Sequence, residues 1–204
     1  MANKLLDNAR KPTKTIGGRL MLWGMNLGHN PMAIWALSHV DLGGSERLLD
    51  IGCGGGKNLA NLLKLAPKAK VCGIDYSPAS VEKSLSFNRA AVTAGKVEVK
   101  EASVEAIPYK DKTFDGVTAF ESIYFWPNIA DSFKEAARVL KKNGVFIVCN
   151  EAQGPEGLER IIKKLEINIY TGEEIKGFLE QAGFSNIEID KHKKGRWLCV
   201  VGRK

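Results

Sequence analysis

The stretch Leu48-Leu49-Asp50-Ile51-Gly52-Cys53-Gly54-Gly55-Gly56-Lys57-Asn58-Leu59 begins apolar, continues through closely spaced glycines and ends in an amphipathic segment. This order is typical of a β-strand, a glycine-rich loop and the first turn of a helix. Such a loop lets a ligand approach the backbone, and the free N–H groups of the helix start point towards that ligand. The stretch therefore predicts a ligand site at a strand-to-helix turn.

The acid beside the glycines indicates which ligand the loop binds. Asp50 brings a carboxylate to the strand end, where it would repel a pyrophosphate but attract an ammonium group or sugar hydroxyls. The dinucleotide pattern G-x-G-x-x-G would need glycine at Lys57, and the phosphate-binding pattern G-x-x-x-x-G-K-[ST] fails at Ile51 and Asn58. A tight turn without any ligand is the structural alternative.

The stretch resembles the first motif of the class I S-adenosylmethionine-dependent methyltransferases, and the resemblance continues from about residue 45 to the C-terminus. It implies S-adenosyl-L-methionine as cofactor and S-adenosyl-L-homocysteine as product. The residues of this motif that it places at the cofactor are Asp50, Gly52, Cys53, Gly54 and Gly56.

Later segments extend the resemblance. Val71–Asp75 looks like the family's second strand, whose terminal acid holds both ribose hydroxyls, and Tyr76 follows where a side chain packs on adenine. A pair of hydroxyl donors suits an ionised carboxylate. Alternatively, Asp75 belongs to the N-cap region of the helix that begins near Pro78.

The third and fourth strands complete the implied cofactor site. Many relatives have aspartate where Ser103 stands, reaching the adenine amino group, so here the contact comes from the serine hydroxyl or from the backbone around Val104. Phe120 ends the segment that resembles the fourth strand, and the resemblance places it beside the cofactor.

The catalytic candidates follow the fourth and fifth strands, beside the expected methyl group. They are Glu121, Tyr124 and Glu151, with Trp126 nearby. Two carboxylates and aromatic rings could form a pocket for a cationic or amine acceptor, and either glutamate could accept a proton. Solvated loop acids, or acids that link to the N-terminal segment, remain the alternatives.

The N-terminal region is predicted to cover the substrate site. Residues 1–40 are expected to form a lid or helical segment of one domain, 1–204, whose cofactor-binding core is 45–204. Asn30 and Pro31 resemble an N-cap and a first helical residue, and core packing of this helix is the alternative to a lid. His29 could meet the cofactor carboxylate or the substrate, or serve structure alone.

Apolar periodicity predicts the fold class α/β. The predicted strands are 47–52, 70–75, 96–102, 114–120, 143–150, 184–192 and 196–203. The predicted helices are 31–39, 56–66, 78–94, 128–140 and 171–182. This order predicts a Rossmann-like seven-stranded sheet with five parallel strands, an antiparallel C-terminal hairpin and helices on both faces.

Composition narrows the partners and the compartment. The net charge of +7 arises at the chain ends, while residues 21–190 sum to −3, so no broad basic face for nucleic acid is expected. The four cysteines form no C-x-x-C and indicate core residues in a reducing compartment, with no metal site predicted. No apolar run reaches the roughly 20 residues of a membrane helix, which favours a cytoplasmic protein.

The sequence thus predicts a methyltransferase that acts on a small-molecule acceptor, as a monomer or homodimer. DNA is disfavoured as acceptor because the fourth strand lacks [DNS]-P-P-[YF] and no Pro-Cys pair is present. A nicotinamide-dependent reductase is disfavoured by the glycine spacing and the missing Tyr-x-x-x-Lys. A non-catalytic S-adenosylmethionine-binding sensor or subunit, and a methyltransferase acting on RNA or protein, remain alternatives.

Overall fold

The computed structural model describes residues 29–193 and 196–204, and within them seven strands form one sheet. The strands are β1 (Arg47–Ile51), β2 (Lys70–Asp75), β3 (Val97–Glu101), β4 (Phe114–Phe120), β5 (Leu140–Asn150), β6 (Ser185–Lys191) and β7 (Leu198–Arg203). The helices are α1 (Asn30–Leu37), α2 (Lys57–Leu65), α3 (Pro78–Phe87), α4 (Arg89–Thr93), α5 (Ile129–Val139), α6 (Glu159–Leu165) and α7 (Gly172–Gln181).

The sheet has the order β3-β2-β1-β4-β5-β7-β6. Strands β1 to β5 pair in parallel, β7 pairs antiparallel with β5, and β6 pairs antiparallel with β7. The predicted fold class is therefore confirmed. The chain order reverses direction across the sheet between β1 and β4, and ligands of open α/β sheets bind beyond the carboxyl ends of the strands at such a point.

Apolar cores cover both faces of the sheet, which is why its central strands read as nearly continuous apolar runs. On one face, Phe133 of α5 and Leu179 of α7 pack against Phe146 of β5 in one buried cluster. On the other face, Met32 of α1 and Leu62 of α2 belong to a second cluster. The described part of the N-terminal segment thus contributes to the core.

Three local details differ from the expectations. The helix expected over 78–94 is interrupted at Asn88, whose buried amide donates to the Gly56 and Ser84 carbonyls at 2.9 and 3.0 Å. Helix α1 begins at Asn30 with His29 as its N-cap, so Asn30 is not the cap. Asn30 instead accepts a hydrogen bond from Asn61.

The third difference is α6, which was not predicted at all. It is a seven-residue helix, Glu159–Leu165, and the residue that follows it, Glu166, is its C-cap in the left-handed conformation. In the described residues, no helix has the length and apolar character that crossing a membrane requires. Most of the predicted lid, residues 1–28, lies outside the described residues.

Candidate functional site

The glycine loop between β1 and α2 needs its glycines for two reasons. Gly52, Gly54 and Gly56 have φ of +77°, +51° and +82°, which L side chains rarely adopt. A Cβ on Gly52 would also lie 2.5 Å from the Cβ of Ser122, while one on Gly56 would collide with the Ser84 hydroxyl. The loop is therefore held close to its neighbours, with its backbone available to a ligand.

Asp75, at the end of β2, fixes this loop. Its Oδ2 accepts from the Gly54 N–H and its Oδ1 from the Ser77 N–H, both at 2.9 Å. Ser77, not Asp75, is the N-cap of α3. Burial raises the pKa of Asp75 although both amide bonds oppose that rise. The Ser80 side chain also donates to this carboxylate. A carboxylate has about four acceptor sites, so Asp75 can still accept from a ligand while it holds the loop.

Asp50 lies deeper, within β1. Its neighbour in register on β4 is Thr118, whose hydroxyl donates to Oδ1 at 2.7 Å. Oδ2 is buried and has no hydrogen-bond partner. Burial raises the pKa of Asp50 to about 7. A buried acceptor without a donor costs free energy, and Asp50 is not among the residues that line the cavity described below.

Replacing Asp50 by asparagine is expected to flatten the pH dependence of stability without ligand. The pKa of Asp50 is raised in the folded protein from 3.8 to about 7, so the folded state favours the protonated form. Asp50 therefore contributes to the free energy of unfolding on the order of 2–4 kcal/mol. This contribution is fully present below pH 4 and is lost as pH rises towards 7. Urea unfolding at several pH values should show a steeper loss of stability between pH 4 and 7 in the wild type than in Asp50→Asn, which keeps the slope that Glu121 contributes because its pKa is also raised to about 7. Parallel pH profiles would contradict the assignment.

A cavity of about 380 Å³ opens at the carboxyl ends of β1, β2 and β4. Most of the residues predicted to bind the cofactor line it: Gly52, Cys53, Gly54, Asp75, Tyr76, Ser103, Val104 and Phe120. Asp50 and Gly56 do not line it; they support the loop from behind. Ser103 accepts from the Glu105 N–H at 3.2 Å. The sequence did not identify Asn58 and Ser80 as wall residues, because nothing local distinguishes them.

The three catalytic candidates lie together at the ends of β4 and β5. Glu121 directly follows β4 with φ of +53°, and its Oε1 accepts from the Tyr124 hydroxyl at 3.3 Å and from the Glu151 N–H. The Tyr124 oxygen in turn accepts from the Ala152 N–H at 3.3 Å. Burial raises the pKa of Glu121 to about 7, and the Glu151 charge adds to the rise.

His29 joins this cluster from the start of α1. Its Nε2 lies 3.8 Å from Oε2 of Glu151. Burial lowers the pKa of His29, and the nearby Glu151 charge only partly offsets that decrease. The structure thus brings His29 beside the acceptor candidates. Trp126, which was expected near the acceptor, lines the first cavity and not the second one described next.

A second cavity, of about 690 Å³, begins where the first one ends. The two share His29, Glu121 and Phe125. Its wall is largely apolar and includes Leu158, Ile161, Leu165, Ile167, Ile169 and Trp197. These apolar residues were not among the predicted site residues, because α6 was not predicted from the sequence.

The chain is similar to known methyltransferases in both sequence and fold. Residues 49–148 match the family model described as "Methyltransferase domain". The chain is 28% identical over 149 residues to O-methyltransferase resE of Aspergillus sclerotiorum, covering 70% of this chain and 56% of the relative. It is 29% identical over 169 residues to the 27-O-demethylrifamycin SV methyltransferase of Amycolatopsis mediterranei, covering 78% and 62%.

A solved structure shares the fold. It is the geranyl diphosphate C-methyltransferase of Streptomyces coelicolor A3(2) in complex with Mg²⁺, geranyl diphosphate and S-adenosyl-L-homocysteine. Its TM-score is 0.77 at 14% identity, covering 93% of this chain and 85% of that one. The chain spans only 46–66% of the length of the first curated relatives.

Proposed function

Because the chain belongs to the class I S-adenosylmethionine-dependent methyltransferases, we propose that it transfers the methyl group of S-adenosyl-L-methionine to a small-molecule acceptor. One observation carries this proposal. Two cavities meet at Glu121, one bordered by the glycine loop and one with an apolar wall. Methyl transfer needs this arrangement, since cofactor and acceptor must face each other across a short gap.

The residues of the first cavity fit the cofactor. Asp75 offers a buried carboxylate to the ribose hydroxyls, and Tyr76, which is 40% exposed, offers a ring to adenine. The glycine loop leaves its backbone open to the methionine portion. The unpartnered Oδ2 of Asp50 beneath that loop is consistent with a positively charged ligand above it.

The cofactor supplies an electrophilic methyl group on a sulfonium. The protein must then align the acceptor atom, exclude water and handle the charge of the acceptor. We assign the contact with the accepting group to Glu121, Glu151 and Tyr124, which lie at the junction of the cavities.

The acceptor is inferred from the wall of the second cavity. Aliphatic side chains of α6 and the segment after it dominate that wall, which favours a molecule with a largely apolar body. A non-catalytic cofactor sensor has no need of such a second cavity, and a polar RNA or protein acceptor fits a largely apolar wall poorly. A cytoplasmic location and a monomeric or homodimeric state remain part of the proposal.

Turnover tests the proposal. Purified chain is incubated with methyl-labelled cofactor and a panel of apolar phenols, thiols and amines, and products are identified by mass spectrometry. We expect label in at least one acceptor with matching S-adenosyl-L-homocysteine release. Ile161→Arg, which fills the second cavity from a half-exposed position, should lower turnover about tenfold or more with cofactor affinity unchanged.

Ile34→Arg is the matched control, since Ile34 is similarly exposed and lines neither cavity. It should retain turnover. Cofactor binding without transfer to any member of the panel, or equal loss of turnover in both arginine variants, would contradict the assignment of the acceptor cavity.

A further inference from the structure

Three side chains with metal-binding atoms converge where the two cavities meet. A ring nitrogen of His29 and one carboxylate oxygen each of Glu121 and Glu151 all lie within 4.8 Å of one another. They come from three places in the chain: the residue before α1, the residue after β4 and the residue after β5. The sheet creates this cluster because β4 and β5 are adjacent parallel strands that end side by side.

The two carboxylates lack a counter-charge among the described residues. No lysine or arginine of residues 29–193 and 196–204 lies within ion-pair distance of Glu121 or Glu151, and His29 is the one basic group beside them. Two ionised carboxylates this close repel each other. A bound cation would remove this cost.

One carboxylate oxygen of Glu121, Oε2, has no hydrogen-bond donor among the described residues. The other oxygen, Oε1, receives both the Tyr124 hydroxyl and the Glu151 N–H. These two donors orient the carboxylate, as second-layer hydrogen bonds do for metal ligands. The carboxylate borders both cavities, so its free oxygen has space beside it for a ligand.

We propose that His29, Glu121 and Glu151 bind one divalent cation at the junction of the cavities. One imidazole and two carboxylates are a donor set for a borderline or hard ion, with Zn²⁺, Mn²⁺, Co²⁺ and Fe²⁺ as the class. Metal–ligand bonds of about 2.0–2.2 Å place ligand atoms roughly 3.3–3.6 Å apart, so the cluster must contract on binding. Rotation of the exposed Glu151 side chain can shorten its distances to the other two residues. Three protein ligands leave positions open towards the cavities.

The role of the ion rests on the proposed function. An acceptor hydroxyl or thiol bound to it has a lowered pKa and loses its proton to water. The oxygen or sulfur then forms a bond to the methyl carbon, the methyl–sulfonium bond breaks, and its electron pair stays on the cofactor sulfur as a thioether. No metal site was predicted from the sequence because the cysteines lack a metal-binding spacing, whereas these donors are His and Glu residues that are far apart in the chain.

Metal binding is tested on the untagged full chain after removal of metals with a chelator. Zn²⁺, Mn²⁺ and Mg²⁺ are titrated by calorimetry, and Co²⁺ is followed by its visible absorption. We expect one ion per chain at micromolar concentration, with binding at least tenfold weaker in His29→Ala and in Glu151→Gln. His39→Ala is the matched control, since His39 pairs with Asp190 at 2.8 Å outside both cavities, and it should bind metal as the wild type does.

S-adenosyl-L-homocysteine binding is measured on the same samples and separates this inference from the proposed function. Unchanged cofactor binding with no stoichiometric ion, or with equal metal affinity in all variants, overturns the metal site alone. Loss of cofactor binding in the wild type would instead contradict the proposed function.

Discussion

Replacing Asp75 by alanine is expected to lower the affinity for S-adenosyl-L-homocysteine by at least about 100-fold, or roughly 2.7 kcal/mol. The carboxylate lines the first cavity and is the acid that we assign to the ribose. A hydrogen bond to a charged group contributes about 1.5–3 kcal/mol, and the variant loses at least one such bond to the ribose. Isothermal calorimetry on the folded variant measures the change.

The controls separate ligand binding from loop geometry, because Asp75 also accepts from Gly54 and Ser77. Asp75→Asn keeps the size but only one acceptor oxygen, so one of the Gly54 and Ser77 N–H groups loses its acceptor. This variant should fold with lower stability and still bind weakly. Ser77→Ala removes the cap of α3, whose hydroxyl accepts from Ser80 at 3.4 Å. That variant should lose about 1 kcal/mol of stability while keeping cofactor affinity. Wild-type affinity in folded Asp75→Ala would refute the assignment.

Glu121→Gln is expected to lower turnover by about 100-fold or more while cofactor affinity stays nearly unchanged. Glutamine has the same shape and can still accept from Tyr124 and from the Glu151 N–H. What it removes is the negative charge at the junction of the cavities, where the acceptor atom must lie. The loss should therefore appear in kcat with the identified acceptor.

Glu105→Gln provides the matched comparison. Glu105 is an exposed acid that lines the first cavity away from the Glu121 cluster. Its loss should leave turnover within about threefold of the wild type. If the two glutamine variants had equal kcat, Glu121 would have no part in the transfer.

The fold was predictable because its signals are local. Strands β1 and β4 are buried on both faces and have largely apolar sequences, and the glycine loop indicates a strand-to-helix turn. Boundaries were less exact: α1 begins one residue early because His29 takes the cap position. The helix is interrupted at Asn88, whose side-chain amide donates to the Gly56 carbonyl. The two residues are 32 positions apart in the chain, so apolar periodicity does not reveal this contact.

The candidate site was predictable only in part. The resemblance assigned Asp50 and Asp75 to the same ligand, but the structure places Asp75 in the cavity wall and Asp50 beneath the loop, bonded to Thr118. The apolar wall escaped prediction because α6 is short and its sequence has no strong signal. The approach of His29 to Glu151 depends on how α1 packs, which the sequence leaves open.

Calorimetric titration of the wild-type chain with S-adenosyl-L-homocysteine, alongside NADH, tests the central claim most directly. The account predicts one site of micromolar affinity for S-adenosyl-L-homocysteine and no binding of NADH. No binding of S-adenosyl-L-homocysteine, or a preference for NADH, would contradict the claim that the cavity bordered by the glycine loop is a methyltransferase cofactor site.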